Sequence, residues 1–192
     1  MVAFQVVSLR DFMEAFPDGK VLRDSDDLSG DYNPYFEYDT DEKTYLSKGD
    51  LDPRIPAAER VIWVQLGDEF RAYPFSELAK DRVVHKNVGG QDIIILYGPT
   101  TISALDRGRV STSRAVGATT VFIPRVGDRE LTLEYRDGVF VDVQTQSTWN
   151  ILGLAVDGPL TGERLPPIFH HESLWFYWAT TFEDTTIYSS AK

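Results

Sequence analysis

From residue 61 onward the chain is built of short strand-like runs separated by tight-turn dipeptides. Val61–Leu66 and Glu69–Tyr73 are two such runs, and the Gly67-Asp68 pair between them is typical of a β-hairpin. The apolar run Ile93–Tyr97 predicts a buried strand, with Tyr97 in the core. Further turns are expected at Gly89-Gly90, Gly127-Asp128 and Asp137-Gly138. This regular spacing predicts a mainly β (α+β) fold whose body is an antiparallel β-barrel or a sandwich-like arrangement.

Two short peripheral helices are expected at the ends of the chain. Ser8 can cap the first, in which Leu9, Phe12 and Phe16 share one face. Residues 172–181 predict the second, and residues 75–80 are compatible with one or two helical turns. Both terminal helices are expected to lie on the outside of the β-body or to close its ends.

The two ends of the chain share one spacing of bulky residues. At each end a bulky residue is followed by two aromatic residues, an aspartate and a β-branched residue. Each position of the first set has its counterpart 166 residues later in the second. The first set is Leu9, Phe12, Phe16, Asp18 and Val21, and the second is Trp175, Trp178, Phe182, Asp184 and Ile187. Residues 1–22 therefore resemble the tail of a preceding repeat. The two helices are expected to pack on related sides of one β-body.

The rest of the chain divides into two parts that differ in composition. Residues 23–56 are acidic and rich in aromatic residues, with ten acidic and two basic residues between positions 24 and 52. Because disordered segments carry few aromatic residues, we expect an ordered loop here. Residues 57–192 are expected to form a β-rich domain that ends in the C-terminal helix, with Trp149 in its core.

Charge and composition exclude several classes of function. The net charge of −11 argues against nucleic acid and anionic membranes as partners, because both require clustered basic residues. The absence of cysteine excludes disulfides, thiolate metal sites and cysteine nucleophiles. No apolar stretch approaches the roughly 20 residues of a membrane span, and the N-terminal residues do not read as a signal peptide. The sequence leaves a cytoplasmic or an extracytoplasmic location open.

Several short motifs resemble one family. The run Asp52-Pro53-Arg54-Ile55-Pro56, the segment Arg71–Phe75 and the Ser147–Asn150 segment with its following Gly158–Gly162 are similar to the prokaryotic family called "domain of unknown function 3179". The resemblance covers roughly residues 8–188 and implies that members carry two related halves. Many relatives have a Cys-Pro-Leu-Cys run where this chain has Gly98–Thr101. The resemblance therefore implies that any thiol, metal or redox site of the family is lost in this copy.

Two sets of residues are candidate metal ligands. Asp24, Asp26, Asp27 and Asp31 have the carboxylate oxygens that calcium prefers, although the EF-hand glutamate is missing and a solvated acidic loop is the simpler interpretation. His85, His170 and His171 offer imidazoles for a transition metal such as zinc or copper. Neighbouring residues of a strand point to opposite faces, so His170 and His171 are not expected to bind one ion together. A helix-capping or polar role near residue 172 is the alternative.

The function expected from these features is binding or assembly without catalysis. No catalytic triad, nucleophile elbow or phosphate-binding loop occurs in the sequence, and no cofactor is expected. Another protein subunit is the expected partner. The alternatives are a metal-binding protein and a hydrolase that cleaves a polysaccharide-like polymer with paired carboxylates, with the tryptophans as stacking surfaces for sugars.

Overall fold

The computed structural model describes residues 5–22, 33, 35–40 and 51–190. Within them are three α-helices: α1 at Leu9–Ala15, α2 at Phe75–Asp81 and α3 at Trp175–Ala179. The thirteen described strands, β1 to β13 in chain order, are Arg60–Leu66, Glu69–Pro74, Val83–Val88, Gln91–Gly98, Ala118–Phe122, Arg125–Val126, Arg129–Glu130, Leu133–Arg136, Val139–Asp142, Thr148–Trp149, Ala155–Asp157, His170–Leu174 and Thr186–Ile187.

Three sheets form the body of the protein, and a small hairpin of β6 and β7 accompanies them. The first sheet has the order β12-β1-β2-β13, the second β3-β4-β5, and the third β11-β10-β9-β8. All pairs are antiparallel except β13 with β2, which is parallel. The fold is thus mainly β and sandwich-like, as predicted, and within the described residues no sheet closes into a barrel.

Strand β4 explains how the sheets are layered. Its residues Ile93, Ile95 and Tyr97 join a core with the first sheet, where Ile62 and Val64 lie. On its opposite face, Ile94 and Leu96 join a second core with the third sheet and with Trp149. A strand buried on both faces needs apolar residues at consecutive positions, which accounts for the unbroken run that the sequence shows. Tyr97 and Trp149 are both buried, as predicted.

The helices differ from the expected pair. Helix α2 follows β2 directly and buries Phe75 and Leu78 in the core between the first two sheets. Helix α3 begins three residues later than expected because His170–Leu174 pair with β1 as a strand. Helix α1 begins at Leu9 after the predicted cap, since the Ser8 side chain accepts a hydrogen bond from the Asp11 amide at 3.1 Å. None of the helices in the described ranges is long and apolar enough to cross a bilayer.

Candidate functional site

The C-terminal segment, residues 170–187, pairs with both edges of the β1–β2 hairpin. Strand β12 pairs with β1 from Leu174 opposite Arg60 to His170 opposite Val64. After α3, strand β13 returns along the other edge and places Ile187 opposite Ala72 of β2. One continuous strand–helix–strand segment therefore supplies the two outer strands of a four-stranded sheet whose two inner strands form the hairpin.

Between these two strands, α3 covers the outer face of the hairpin with aromatic rings. Trp178 is 1% exposed, and its ring stacks on Trp63 at 4.1 Å and on Phe182 at 4.0 Å between centroids. Phe70 of β2 stacks on Phe182 at 4.7 Å. The Trp178 indole nitrogen donates a hydrogen bond of 2.8 Å to the Thr185 hydroxyl, so its one polar atom is satisfied in the buried site. The contact is apolar, with Trp178 buried and Trp63, Phe70 and Phe182 partly buried around it.

Arg54 fixes the backbone of the same segment. Its guanidinium donates to the carbonyls of Glu183 at 2.9 Å and Thr185 at 2.8 Å, and lies 5.1 Å from the centroid of the Trp175 ring. The Asp52 carboxylate holds the guanidinium in place, and hydrogen bonding from Arg54 lowers the pKa of Asp52. Sequence reasoning missed this role, although Arg54 stands within the Asp-Pro-Arg run that carried the family resemblance.

The N-terminal segment, residues 5–22, has the same local hydrogen bonds 166 positions earlier. The amide of Phe16 donates to the Phe12 carbonyl at 2.9 Å, as that of Phe182 does to Trp178 at 3.0 Å. The amide three residues further on then donates to the Phe16 or Phe182 carbonyl, at 2.8 Å and 3.2 Å respectively. Helix α1 begins at Leu9, the position that corresponds to the first residue of α3.

The two segments differ in which face they bury. Helix α1 contacts the body through Ala15, whose carbonyl accepts a hydrogen bond of 2.8 Å from Arg164. Its larger apolar residues lie outward: Leu9 is 61% exposed, Val21 58% and Leu22 96%, and Phe16 is also exposed. The C-terminal segment thus covers its aromatic face, whereas much of the apolar surface of the N-terminal segment is exposed. The expectation that the two helices pack on related sides of one β-body stays a prediction.

The candidate histidine ligands occupy different sheets. His85 lies on β3, where its Nε2 is 3.1 Å from the Leu133 carbonyl, and it lines a polar cleft of about 550 Å³ together with Lys86, Asp92 and Arg125. His170 and His171 lie on β12 in the first sheet. Asp24, Asp26, Asp27 and Asp31 lie outside the described residues. Within residues 5–22, 33, 35–40 and 51–190, no group of three or more His, Asp or Glu side chains could hold a metal ion.

The two histidines of β12 have unlike surroundings. His170 is fully buried, and its Nδ1 donates to the Ile168 carbonyl at 2.6 Å. Burial lowers the pKa of His170 to about 4, so the ring is neutral near pH 7. His171 lies on the other face of the strand and stacks on Trp63 at 5.5 Å between centroids.

Buried carboxylates meet at Arg60, not at a cleft. The guanidinium binds Asp39 at 2.9 Å and Glu172 at 2.6 Å, and Ser103 also donates to Asp39 at 2.7 Å. Burial alone would raise the pKa of Asp39, but the hydrogen bonds from Ser103 and Arg60 lower it below its usual range. Burial raises the pKa of Glu172 in spite of Arg60. A carboxylate pair bridged by one cation links the acidic segment to the first sheet, and it is arranged for structure more than for acid–base exchange with a substrate.

Gly98–Thr101, where the family resemblance implies a Cys-Pro-Leu-Cys run in relatives, lie beside α1. Gly98–Thr101 line a second cleft of about 370 Å³, to which Asp11 and Glu14 of α1 and Asn150 also contribute. This cleft is lined by apolar groups and by side chains that carry oxygen atoms, and it offers no thiolate.

Comparison with known proteins gives one match. A family model described as "Protein of unknown function (DUF3179)" matches residues 1–186. The chain belongs to this family. The match to the family spans both the N-terminal segment and most of the C-terminal segment. No curated protein and no solved structure matches the chain.

Proposed function

We propose that the chain is a non-catalytic β-rich assembly module that binds another protein through the outward face of its N-terminal segment. The observation that carries this proposal is the contrast between the two ends. The same spacing and the same hydrogen bonds produce one apolar face that is buried and one that is exposed.

We interpret the contrast as two copies of one motif, which forms strand, helix and strand at the C-terminal end and only the helix α1 in the described residues 5–22. The C-terminal copy supports this interpretation, because it covers a hairpin and buries Trp178. Leu9, Phe16, Val21 and Leu22 of the N-terminal copy keep this apolar character but are exposed, with only the Arg164 guanidinium over the Phe16 ring, 4.6 Å from its centroid. Exposed apolar surface of this kind marks protein–protein contact sites.

The chemistry of the surface supports a protein partner over other ligands. The net charge of −11 opposes nucleic acid and anionic lipid. Leu22 of the N-terminal segment is almost fully exposed and follows Lys20 by two residues. An exposed apolar side chain beside a charged one is typical of a protein interface with a polar rim.

Photo-crosslinking from a single introduced cysteine tests the proposal. The chain has no cysteine, so a Leu22→Cys variant can carry one benzophenone label at the exposed face. In extracts of the producing organism, we expect one protein adduct identified by mass spectrometry. Adding Phe16→Asp should lower its yield at least about tenfold, because burial of a phenylalanine contributes roughly 1.5–3 kcal/mol.

A label at Val156 is the matched control, because this residue is also exposed but lies on β11 of the third sheet. The proposal fails if both labels give the same adducts, or if Phe16→Asp leaves the adduct from position 22 unchanged. Circular dichroism melts of each variant show whether the fold is intact.

A further inference from the structure

We infer that the partner of the N-terminal segment is the β-hairpin of another module of this same fold. Residues 5–22 would pair with both edges of that hairpin, as the C-terminal segment pairs with β1 and β2. This inference rests on the proposed function and names its partner.

The residue before helix α1 has the same extended backbone as the residue before helix α3. Ser8 has φ −66° and ψ 150°, and its counterpart Leu174 has φ −81° and ψ 146°, so both residues enter their helices from the same backbone conformation. Val6 corresponds to Glu172, which lies opposite Ile62 of β1. By the same register, residues 5–8 would add to the first strand of the partner hairpin.

The helix and the turn after it carry the same contact groups. Phe12 lies over Gly19, so closely that a side chain at Gly19 would collide with the ring, and Trp178 lies over Thr185 at the corresponding place. The carbonyls bound by Arg54 belong to Glu183 and Thr185, which correspond to Pro17 and Gly19. A partner with an arginine at the position of Arg54 would bind these two carbonyls in the same way.

The second strand reaches the far edge of the hairpin. Lys20 and Val21 correspond to Thr186 and Ile187, which pair in parallel with Arg71 and Ala72. Leu22 then corresponds to Tyr188, whose amide donates to the Ala72 carbonyl at 2.8 Å and whose ring lies 5.4 Å from that of Tyr73. Leu22, which is 96% exposed, is therefore the residue that would meet the second strand of the partner.

The hairpin of a second copy of this chain is not the expected partner. That hairpin is covered by its own C-terminal segment, and its outer face is shaped to Trp175 and Trp178. Leu9 and Phe12 are smaller at those positions and would leave part of that volume empty, which is costly in a packed contact. The partner is thus a related module whose hairpin is uncovered and fits leucine and phenylalanine.

Crosslinks from two labelled positions test the inference on the full chain. A benzophenone at Val6→Cys should form an adduct with the first strand of the partner hairpin, at the position of Ile62. A benzophenone at Leu22→Cys should form one with the second strand, at the position of Ala72 or Tyr73. Val21→Asp should lower both yields at least about tenfold, whereas the same change at the exposed Val156 should leave both within twofold.

Each outcome decides between the two proposals. Adducts at both hairpin strands of a protein with this fold support the inference. An adduct with a different class of protein, or at another surface of a related module, overturns it and leaves the proposed function standing. An adduct between two copies of this chain also overturns it. The absence of any specific adduct at position 22 overturns both.

Discussion

His170 is a titratable side chain that is fully buried in the first sheet. It is fully buried on the inner face of β12, its Nδ1 proton is donated to the Ile168 carbonyl, and in the described part of the chain Nε2 has no hydrogen-bond partner. A proton on Nε2 would place a charge in a site that offers no acceptor for it. The folded packing therefore disfavours the protonated form of His170.

We expect this histidine to make the fold sensitive to acid. The pKa of His170 is about 4 in the folded chain and about 6.5 in the unfolded chain, so between these values only the unfolded chain takes up the proton. The stabilisation is complete above pH 6.5 and is lost as the pH falls towards 4, by roughly 3 kcal/mol.

Urea titrations at several pH values measure this effect as the difference between the wild type and His170→Gln, which keeps a donor for the Ile168 carbonyl but does not titrate. The free energy of unfolding of the wild type should fall more steeply than that of the variant between pH 7 and pH 4. Parallel pH profiles would contradict the assignment.

At the scale of elements, the sequence predicts those strands and turns that depend on neighbouring residues. The β1–β2 hairpin and the buried strand β4 follow from alternation, turn residues and an apolar run. Residues 172–174 of β12 were expected to be helical, because the pairing of β12 with β1 joins residues more than 100 positions apart, from Val64 with His170 to Arg60 with Leu174, and leaves no local signal. The outward face of α1 was likewise unpredictable, since the residues that repeat are identical in character whether or not a partner sheet is present. The division into residues 1–22, 23–56 and 57–192 stays a prediction.

Corresponding substitutions in the two helices should have unequal effects on stability. Trp178→Ala removes a buried ring that stacks on Trp63 and Phe182, and should lower the free energy of unfolding by roughly 3–5 kcal/mol. Phe12→Ala, at the corresponding position of the partly exposed α1, should cost no more than about 1 kcal/mol. Chemical denaturation of both variants provides the measurement. Equal losses would mean that the N-terminal segment is also packed on its aromatic face.

At the scale of the whole molecule, charge opposes compaction. The net charge of −11 is distributed over a chain in which Asp39 pairs with Arg60 and Arg114 and Glu172 pairs with Arg60, while many other carboxylates face solvent. Screening by salt should therefore favour the folded chain.

Thermal melts in sodium chloride and in calcium chloride at matched ionic strength distinguish screening from specific binding. We expect the melting temperature to rise by the same amount in both, as a solvated acidic segment requires. A rise that occurs only with calcium, at low concentration, would instead favour a site at Asp24, Asp26, Asp27 and Asp31. Substituting Asp26→Asn and Asp27→Asn should abolish such a calcium-specific rise and leave the sodium effect.

The order of strands in the first sheet has a consequence for biosynthesis. The inner strands β1 and β2 end at Pro74, but both outer strands come from residues 170–187. A ribosome adding 5–20 residues per second needs roughly 5–20 s to translate the intervening stretch. During that time the nascent hairpin has two bare edges, which are open to strands from neighbouring chains. Folding of this sheet therefore waits for residues 170–187, and a pause or a truncation before them leaves the outer edges of its first two strands unpaired.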